Sequence, residues 1–440
     1  MHILQLCFRV PYPPHDGGAI AMYEVARGLA EAGHRVTVLA VNTPKHHQPA
    51  TALDHLGPNV RLVPVDVDTR LKPLAALRNL AFSHLPYNLE RFVSPALLAK
   101  LVEIVLAEAV DVVQFEGTFV AWYAQELGAA LQASGLDLTQ QPRFVLRAHN
   151  VEYTIWEMLA SRAGDPLKKW YLQKLAQRLR VFEKSMLHRV DAVAAITEDD
   201  ATRLRGLYYG GLPGPVTATV VAALPRGGHG PTFAFIPASF DFSRIKPAIA
   251  PPKPRTVFLI GSLNWLPNLE GVDWLLREIW PQAHAEMPDL ELHIAGSHPP
   301  AHLTGRPQGQ DNVFVHGFVA SAPAFMQQYD LMLVPLLSGG GMRVKVVEGL
   351  ALGKAILSTT LGAEGIATRD GENILLRDAP AAWLAALRDY YHGRLPTAQI
   401  GQAAARTARE LYDTRPVTQR LLALYEQVLG THHQPAPLPL

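Results

Sequence analysis

Hydrophobic residues fall into short, nearly continuous runs, separated by stretches in which they recur every three to four positions. The first run is His2–Val10, followed by the loop PYPPHDGG. Ala19–Ala32 then sets Ile20, Tyr23, Val25, Ala26 and Leu29 at helical spacing, and Gly33 is a natural stop. His34–Val41 is the next run. Strand, helix, strand in that order predicts a βαβ unit and a parallel sheet, because strands apolar at every position are buried on both faces. Further strands are predicted at Asn59–Val67, Asp111–Phe115, Arg143–Ala148 and Asp191–Thr197, with a long helix at about Pro166–Arg189.

After a Gly- and Pro-punctuated stretch comes Lys246–Arg255, where four prolines in ten residues predict a stiff linker. The alternation then restarts. Strands are predicted at Thr256–Ile260, Leu290–Ala295, Val313–His316, Leu331–Leu336, Ala355–Ser358 and Asn373–Leu376. Helices are predicted at about Leu269–Glu286, Ala322–Gln328, Met342–Leu352, Pro380–Tyr391, Thr397–Tyr412 and Pro416–Leu429. The pattern predicts two doubly wound α/β domains, 1–245 and 246–415, then a helix at about 416–430 and a disordered tail at 431–440.

Composition narrows the class. Of 440 residues, 48% are hydrophobic and 18% charged, ample for sizeable cores and too apolar for a disordered chain. Lys and Arg total 40 against 39 Asp and Glu, a net charge of +1, so bulk charge does not point to nucleic acid. The single cysteine, Cys7, excludes a disulfide framework within the chain and any CxxC site. The first residues lack the basic start, long apolar stretch and small-residue cleavage site of a signal peptide. One uncharged stretch, Gly206–Pro225, has the length of a membrane span, but its glycines and prolines would break a helix; it is read as loop plus a short strand. A cytoplasmic protein is expected.

In open parallel sheets, ligands sit beyond the carboxyl ends of the strands. The loops that start there are unusual in composition: Asp16-Gly17-Gly18, Glu116-Gly117, His149-Asn150, Gly261-Ser262, Gly296-Ser297, Gly317-Phe318, Ser338–Gly341 and Thr359-Thr360. If the two sheets face each other, all of them line one interdomain cleft. The densest signal is LLSGGGMRVKVVEGLAL, Leu336–Leu352. Its three glycines precede a helix whose first turn carries Arg343 and Lys345, the wrong end of the macrodipole for cations. A bound diphosphate at that helix start would remove the conflict. The alternative is that Arg343 is solvated and Lys345 pairs with Glu348. Glu348 itself suits a ribose diol.

Other candidates divide between function and structure. His149 closes a strand before Asn150 and Glu152. Asn268 is a credible N-cap for a helix starting at Leu269. The basic helix Asp165–Arg189, with Trp170 and Tyr171, is either a solvated face or a contact for anionic lipid. Three motifs fail: Gly349–Ala355 is one residue short of a Walker loop, no GxGxxG follows the first strand, and Asp66-Val67-Asp68 is a DxD without a supporting acid.

The segment GGGMRVKVVEGLALGKAILSTTLGAEGI resembles the donor site of GT-B glycosyltransferases, in particular glycosyltransferase family 4. PYPPHDGGAIAMYEVARGLAEAGHRVTVLA resembles that family's first βαβ unit, FVLRAHNVEY and EKSMLHRVDAVAAITEDDA its middle, and GSLNWLPNLEGVDWLLREIWP the start of its second domain. The resemblance spans about residues 1–370, with the final helices in register. It implies two facing Rossmann-like domains with a deep cleft, the last helix packing back on the first domain. It implies a retaining transferase that moves a sugar from a nucleotide-diphosphate donor to a saccharide or lipid-linked acceptor, with no metal and no cofactor. On that resemblance His149 would sit near the donor sugar as the catalytic candidate. Gly17, Gly18, Gly339, Gly340, Gly341, Met342, Arg343 and Lys345 would meet the diphosphate, Glu348 the ribose, and Gly317 and Phe318 the base. Tyr12, Glu116 and Asn150 are candidates for the acceptor, with Ser83–Phe92 beside them. The chain departs from the family's E-x7-E pattern, since Gly340 stands where the first glutamate is usual. Asn264 and Asn268 stand where many members carry Arg and Lys. A non-catalytic nucleotide-binding scaffold and a nucleotide-sugar 2-epimerase are the alternatives.

Overall fold

The computed structural model describes residues 1–430 apart from His15, 211–229, 246–249 and 340–341. These residues form two compact units, Met1–Phe240 with the final helix from Thr414, and Asp241–Asp413. The expected tail at 431–440 lies outside the described residues, as does most of the uncharged Gly206–Pro225 stretch.

The first unit holds a seven-stranded sheet in the order β3-β2-β1-β4-β5-β6-β7. Its strands are β1 (His2–Cys7), β2 (Arg35–Asn42), β3 (Val60–Asp66), β4 (Val112–Glu116), β5 (Arg143–Ala148), β6 (Ala192–Ala195) and β7 (Thr232–Phe235), every pairing parallel. The order reverses between β1 and β4, so the carboxyl ends at Cys7 and Glu116, which are in register, flank the switch point. Successive β1 residues face opposite layers. Leu4 and Leu6 join one core with Phe115 and Phe144, while Ile3 and Cys7 join the other with Leu421, Leu424 and Tyr425.

Those last residues belong to the helix Thr414–Gly430, which packs within the first unit. It packs tightly on the helix Gly17–Glu31 at Gly28, where a Cβ would lie 2.1 Å from Thr418 Oγ1. Arg27 donates to Thr414 Oγ1 at 3.0 Å and Thr414 Oγ1 donates to Glu24 Oε2 at 2.8 Å, which fixes the start of the returning helix. Fully buried Arg147 on β5 donates to the carbonyl of Pro237 at 2.7 Å, anchoring the chain after β7.

The second unit holds a six-stranded parallel sheet in the order β10-β9-β8-β11-β12-β13. Its strands are β8 (Lys253–Ile260), β9 (Glu291–Ala295), β10 (Val313–Gly317), β11 (Tyr329–Val334), β12 (Ala355–Ser358) and β13 (Leu375–Leu376). Its switch point lies between β8 and β11. Strand β8 starts three residues before the expected Thr256, inside the Pro-rich connector, because Lys253 pairs with Tyr329. Strand β7 was not anticipated: it is a four-residue, half-buried edge strand whose short apolar run, Phe233–Ile236, lies between Pro231 and Pro237.

Candidate functional site

In the first unit, the loops after β1, β4 and β5 bring Gly18, Phe8, Gly117 and His149 together. Phe8 meets His149 edge-on at 5.9 Å between centroids, and a Cβ on Gly18 would lie 3.4 Å from the Phe8 ring. Asp16 caps the helix Gly17–Glu31 by accepting from the Ala19 N–H at 3.1 Å. Arg9 donates to the same Asp16 oxygen and sits 3.3 Å from His46 Nε2. Partial burial would raise the Asp16 pKa, but Arg9 and the Ala19 N–H outweigh it and hold the carboxyl below its ordinary range. Gly17 and Gly18 therefore stand beside a guanidinium as well as at a helix start. Nothing in the sequence pattern singled out Arg9 or Phe8.

His149 rests on a buried polar network. Its Nε2 lies 2.6 Å from Glu116 Oε2, and the Glu116 side chain has no exposed surface. The other Glu116 oxygen accepts from Gln5 Nε2 at 2.7 Å and from Gln114 Nε2 at 2.6 Å. Gln114 in turn accepts from the Tyr425 hydroxyl of the final helix. With the carboxylate acting only as acceptor, His149 donates from Nε2, and in the neutral ring Nδ1 is left as the acceptor. Glu116, expected to meet an acceptor, is sealed from solvent and engaged by His149, Gln5 and Gln114. Tyr12 is half-buried against Tyr23 and His55, at 6.3 and 5.0 Å between centroids. Asn150, half-buried, donates to Glu152 Oε1 at 3.4 Å.

In the second unit, the glycines at the ends of β8, β9 and β10 crowd together. A Cβ on Gly296 would lie 1.9 Å from the Gly261 carbonyl oxygen, and the Gly296 N–H donates to Gly317 O at 2.7 Å. Phe318, next to Gly317, is 76% exposed, an open aromatic face. The helix that carries the cations is Val344–Ala351, with buried Arg343 as its N-cap. The Arg343 guanidinium lies 5.9 Å from the centroid of the Trp265 ring. A Cβ on Gly339 would meet the same ring at 3.3 Å, and the φ of +100° there also requires glycine. Met342 is half-buried beside them; Gly340 and Gly341 lie outside the described residues.

Lys345 is held by Asn268, not by Glu348: its Nζ donates to Asn268 Oδ1 at 2.7 Å. Asn268 Nδ2 donates to the Ser262 carbonyl at 2.9 Å, and a Cβ on Gly261 would lie 2.7 Å from that nitrogen and 3.2 Å from Lys345 Nζ. Asn268 is therefore not the N-cap expected. Pro267 favours an earlier start, the helix runs from Leu266 with Trp265 as N-cap, and the amide turns inward. Burial, helped by the Arg343 charge, pushes Lys345 down to about 7, and burial pushes Glu348 up to about 7. An anion at this helix start would return Lys345 to its charged form.

The discarded motifs are structural. Lys354 of the Walker-like stretch donates to the Tyr329 carbonyl at 2.6 Å, and Gly349 lies inside a helix against Met332. Asp68 is paired with Arg70 and Lys72, Asp66 accepts from Asn42 at 2.9 Å, and no metal-binding group occurs among the described residues. No described helix is long and apolar enough to cross a membrane.

Two doubly wound parallel sheets, each with glycine-lined loops at its switch point, define the GT-B class of glycosyltransferases. Residues 16–227 match the Glycosyl transferase 4-like domain, and residues 254–392 match Glycosyl transferases group 1. The chain belongs to these GT-B glycosyltransferases. It is 22% identical over 417 residues to an "Uncharacterized 44.6 kDa protein in cps region" of Klebsiella pneumoniae, covering 92% of this chain and 95% of that one. Its fold is similar to that of sucrose-phosphate synthase from Thermosynechococcus elongatus, with TM-score 0.66, 14% identity, and 98% and 100% of the two chains covered. It is also similar to HepE of Anabaena in complex with UDP, with TM-score 0.63, 14% identity, and 97% and 100% covered.

Proposed function

We propose that this glycosyltransferase is a retaining enzyme of family 4. It takes a sugar from a nucleotide-diphosphate donor and passes it to a saccharide or lipid-linked acceptor in bacterial polysaccharide or glycoconjugate synthesis. The observation that carries the reading is the pair of cations, buried Arg343 and half-buried Lys345, at the start of the helix Val344–Ala351. A departing nucleoside diphosphate carries the negative charge that developing bond cleavage creates, and cations with helix amides suit its stabilisation. The binding of UDP by HepE and the cps-region relative agree with this donor and this setting.

In this reading Lys345 and Arg343 stabilise the diphosphate, Glu348 accepts from the ribose hydroxyls, and the Gly317-Phe318 loop receives the base. Gly17 and Gly18 serve the diphosphate as the family resemblance implies. His149 offers Nδ1 to a hydroxyl of the transferred sugar, its ring set by Glu116. As the bond to the diphosphate lengthens, the acceptor hydroxyl approaches the same face of the sugar and gives its proton to the leaving oxygen. The anomeric configuration is thereby kept, without a metal. The setting is the cytoplasmic side of the cell, with 165–189 near the membrane.

Proton NMR of the first transfer product tests the reaction class. The anomeric signal should match the donor's configuration; an inverted product contradicts the retaining assignment.

A further inference from the structure

The helix Pro73–Phe82 is turned the unusual way round. Positions 74, 77, 78, 81 and 82 recur at helical spacing and are all exposed, with Leu74 and Phe82 84% and Leu77 65% accessible. Leu71, just before it, is 72% exposed. The inner side is held by polar contacts: buried Asn79 donates to the Leu85 carbonyl at 2.8 Å and to Glu90, and Arg178 donates to the Leu80 carbonyl at 2.7 Å. A helix that only completed the unit would bury its leucines and expose its asparagine.

Charge identifies the occupant. From Asp68 to His84 the chain carries Arg70, Lys72, Arg78 and His84 against a single acid, Asp68, which pairs with Arg70 and Lys72, so the segment keeps an excess of positive charge centred on Arg78. Arg78 lies within the apolar face, and beside it an open hollow of about 440 Å³ is lined by Arg78, Phe82 and His84, with Glu90 the one acid, engaged by Asn79. Leucines and a phenylalanine flanked by cations suit the boundary between acyl chains and anionic headgroups. Half of the cations of the basic helix Pro166–Leu187 are committed elsewhere: Arg178 holds the inner side of Pro73–Phe82, Arg180 lies 3.9 Å from Glu157, and Lys184 binds the Gly210 carbonyl. What it leaves exposed is its amino end, with Leu167, Lys168, Lys169 and Trp170, and Lys174 a turn further on.

We infer that the helix Pro73–Phe82 is a docking element for an anionic bilayer, lying in the interface with Leu74, Leu77 and Phe82 inserted. The inference deepens the membrane setting of the proposed function, and its test needs neither donor nor transfer.

The test is co-sedimentation with phosphatidylcholine vesicles, with and without phosphatidylglycerol, at low and high salt. The wild type should pellet with phosphatidylglycerol vesicles at low salt and lose roughly tenfold or more of its partitioning without the anionic lipid or in high salt. Leu74→Ser/Leu77→Ser/Phe82→Ser should lose roughly tenfold or more as well, with an unchanged far-ultraviolet melting curve, since all three side chains face water. Failure of the wild type to bind, or binding kept by the triple variant, overturns the inference. So does a dimer of the wild type in sedimentation velocity that the triple variant abolishes, which would make a second copy the occupant.

Discussion

Glu116 Oε2 lies 2.6 Å from His149 Nε2, and Glu116 has no exposed side-chain surface. A buried acceptor at that distance sets both the orientation of the imidazole and the nitrogen that carries the proton. Glu116→Gln keeps the shape but can present its amide N–H to the ring, which reverses the tautomer. We expect kcat to fall roughly tenfold or more with little change in donor KM. Nitrogen-15 spectra of the His149 ring check the cause: the wild type should be the Nε2–H form, and the variant should not.

On the proposed function, Lys345 should make donor binding depend on pH. Its free-protein value of about 7 means that above pH 7 it is mostly neutral and must take up a proton to meet a diphosphate. Affinity for the nucleoside diphosphate should therefore fall by up to about tenfold per pH unit above 7 and flatten below it. Calorimetry in buffers of different ionisation enthalpy should show net proton uptake at pH 8. Lys345→Met should abolish that uptake. Glu348 loses its proton over the same range, so Glu348→Gln is the control and should leave the Lys345 uptake in place.

Trp265 supports the cation site from the side. Its ring faces the Arg343 guanidinium at 5.9 Å and forms the wall against which Gly339 packs. Trp265→Ala should weaken nucleotide affinity by about 0.5–1 kcal/mol for the lost cation–π contact, with more if the Gly339 loop relaxes. Titration calorimetry at one pH measures it.

The returning helix is fitted to its neighbour through Gly28. A Cβ there would lie 2.1 Å from Thr418 Oγ1 and 2.9 Å from Thr414 Cγ2. Gly28→Ala should destabilise the protein by about 1–3 kcal/mol in urea unfolding, as overpacking does. Thr418→Ala in the same chain should restore part of the loss by removing the nearer oxygen.

Much of this architecture is legible along the chain, since parallel strands buried on both faces write continuous apolar runs. Arg143–Ala148 and Ala355–Ser358 have the predicted limits. Strand β7 escaped because its apolar run, Phe233–Ile236, is short and lies between Pro231 and Pro237 in a Gly- and Pro-punctuated stretch. The cation helix was legible because glycines, Arg343 and Lys345 are adjacent in sequence. Arg9, Phe8 and Trp265 were not, because their roles arise where loops from separate strands meet. The burial of Glu116 was hard to read for a related reason. A glutamate at a strand end looks the same whether it faces solvent or core. Only the alternation of Val112, Gln114 and Glu116 against Val113 and Phe115 hinted that it shares a buried layer with Gln114.

The most direct test of the donor site is a set of melting curves with UDP, GDP, ADP and TDP, each with and without EDTA, on the wild type and Lys345→Ala. A ligand at about 100 times its Kd adds nearly 3 kcal/mol of stability, a shift readily seen. One nucleotide should raise the wild-type melting temperature equally in both buffers and raise that of Lys345→Ala far less. No shift with any of the four, or a shift that Lys345→Ala retains in full, would contradict the assignment of this helix start to the diphosphate.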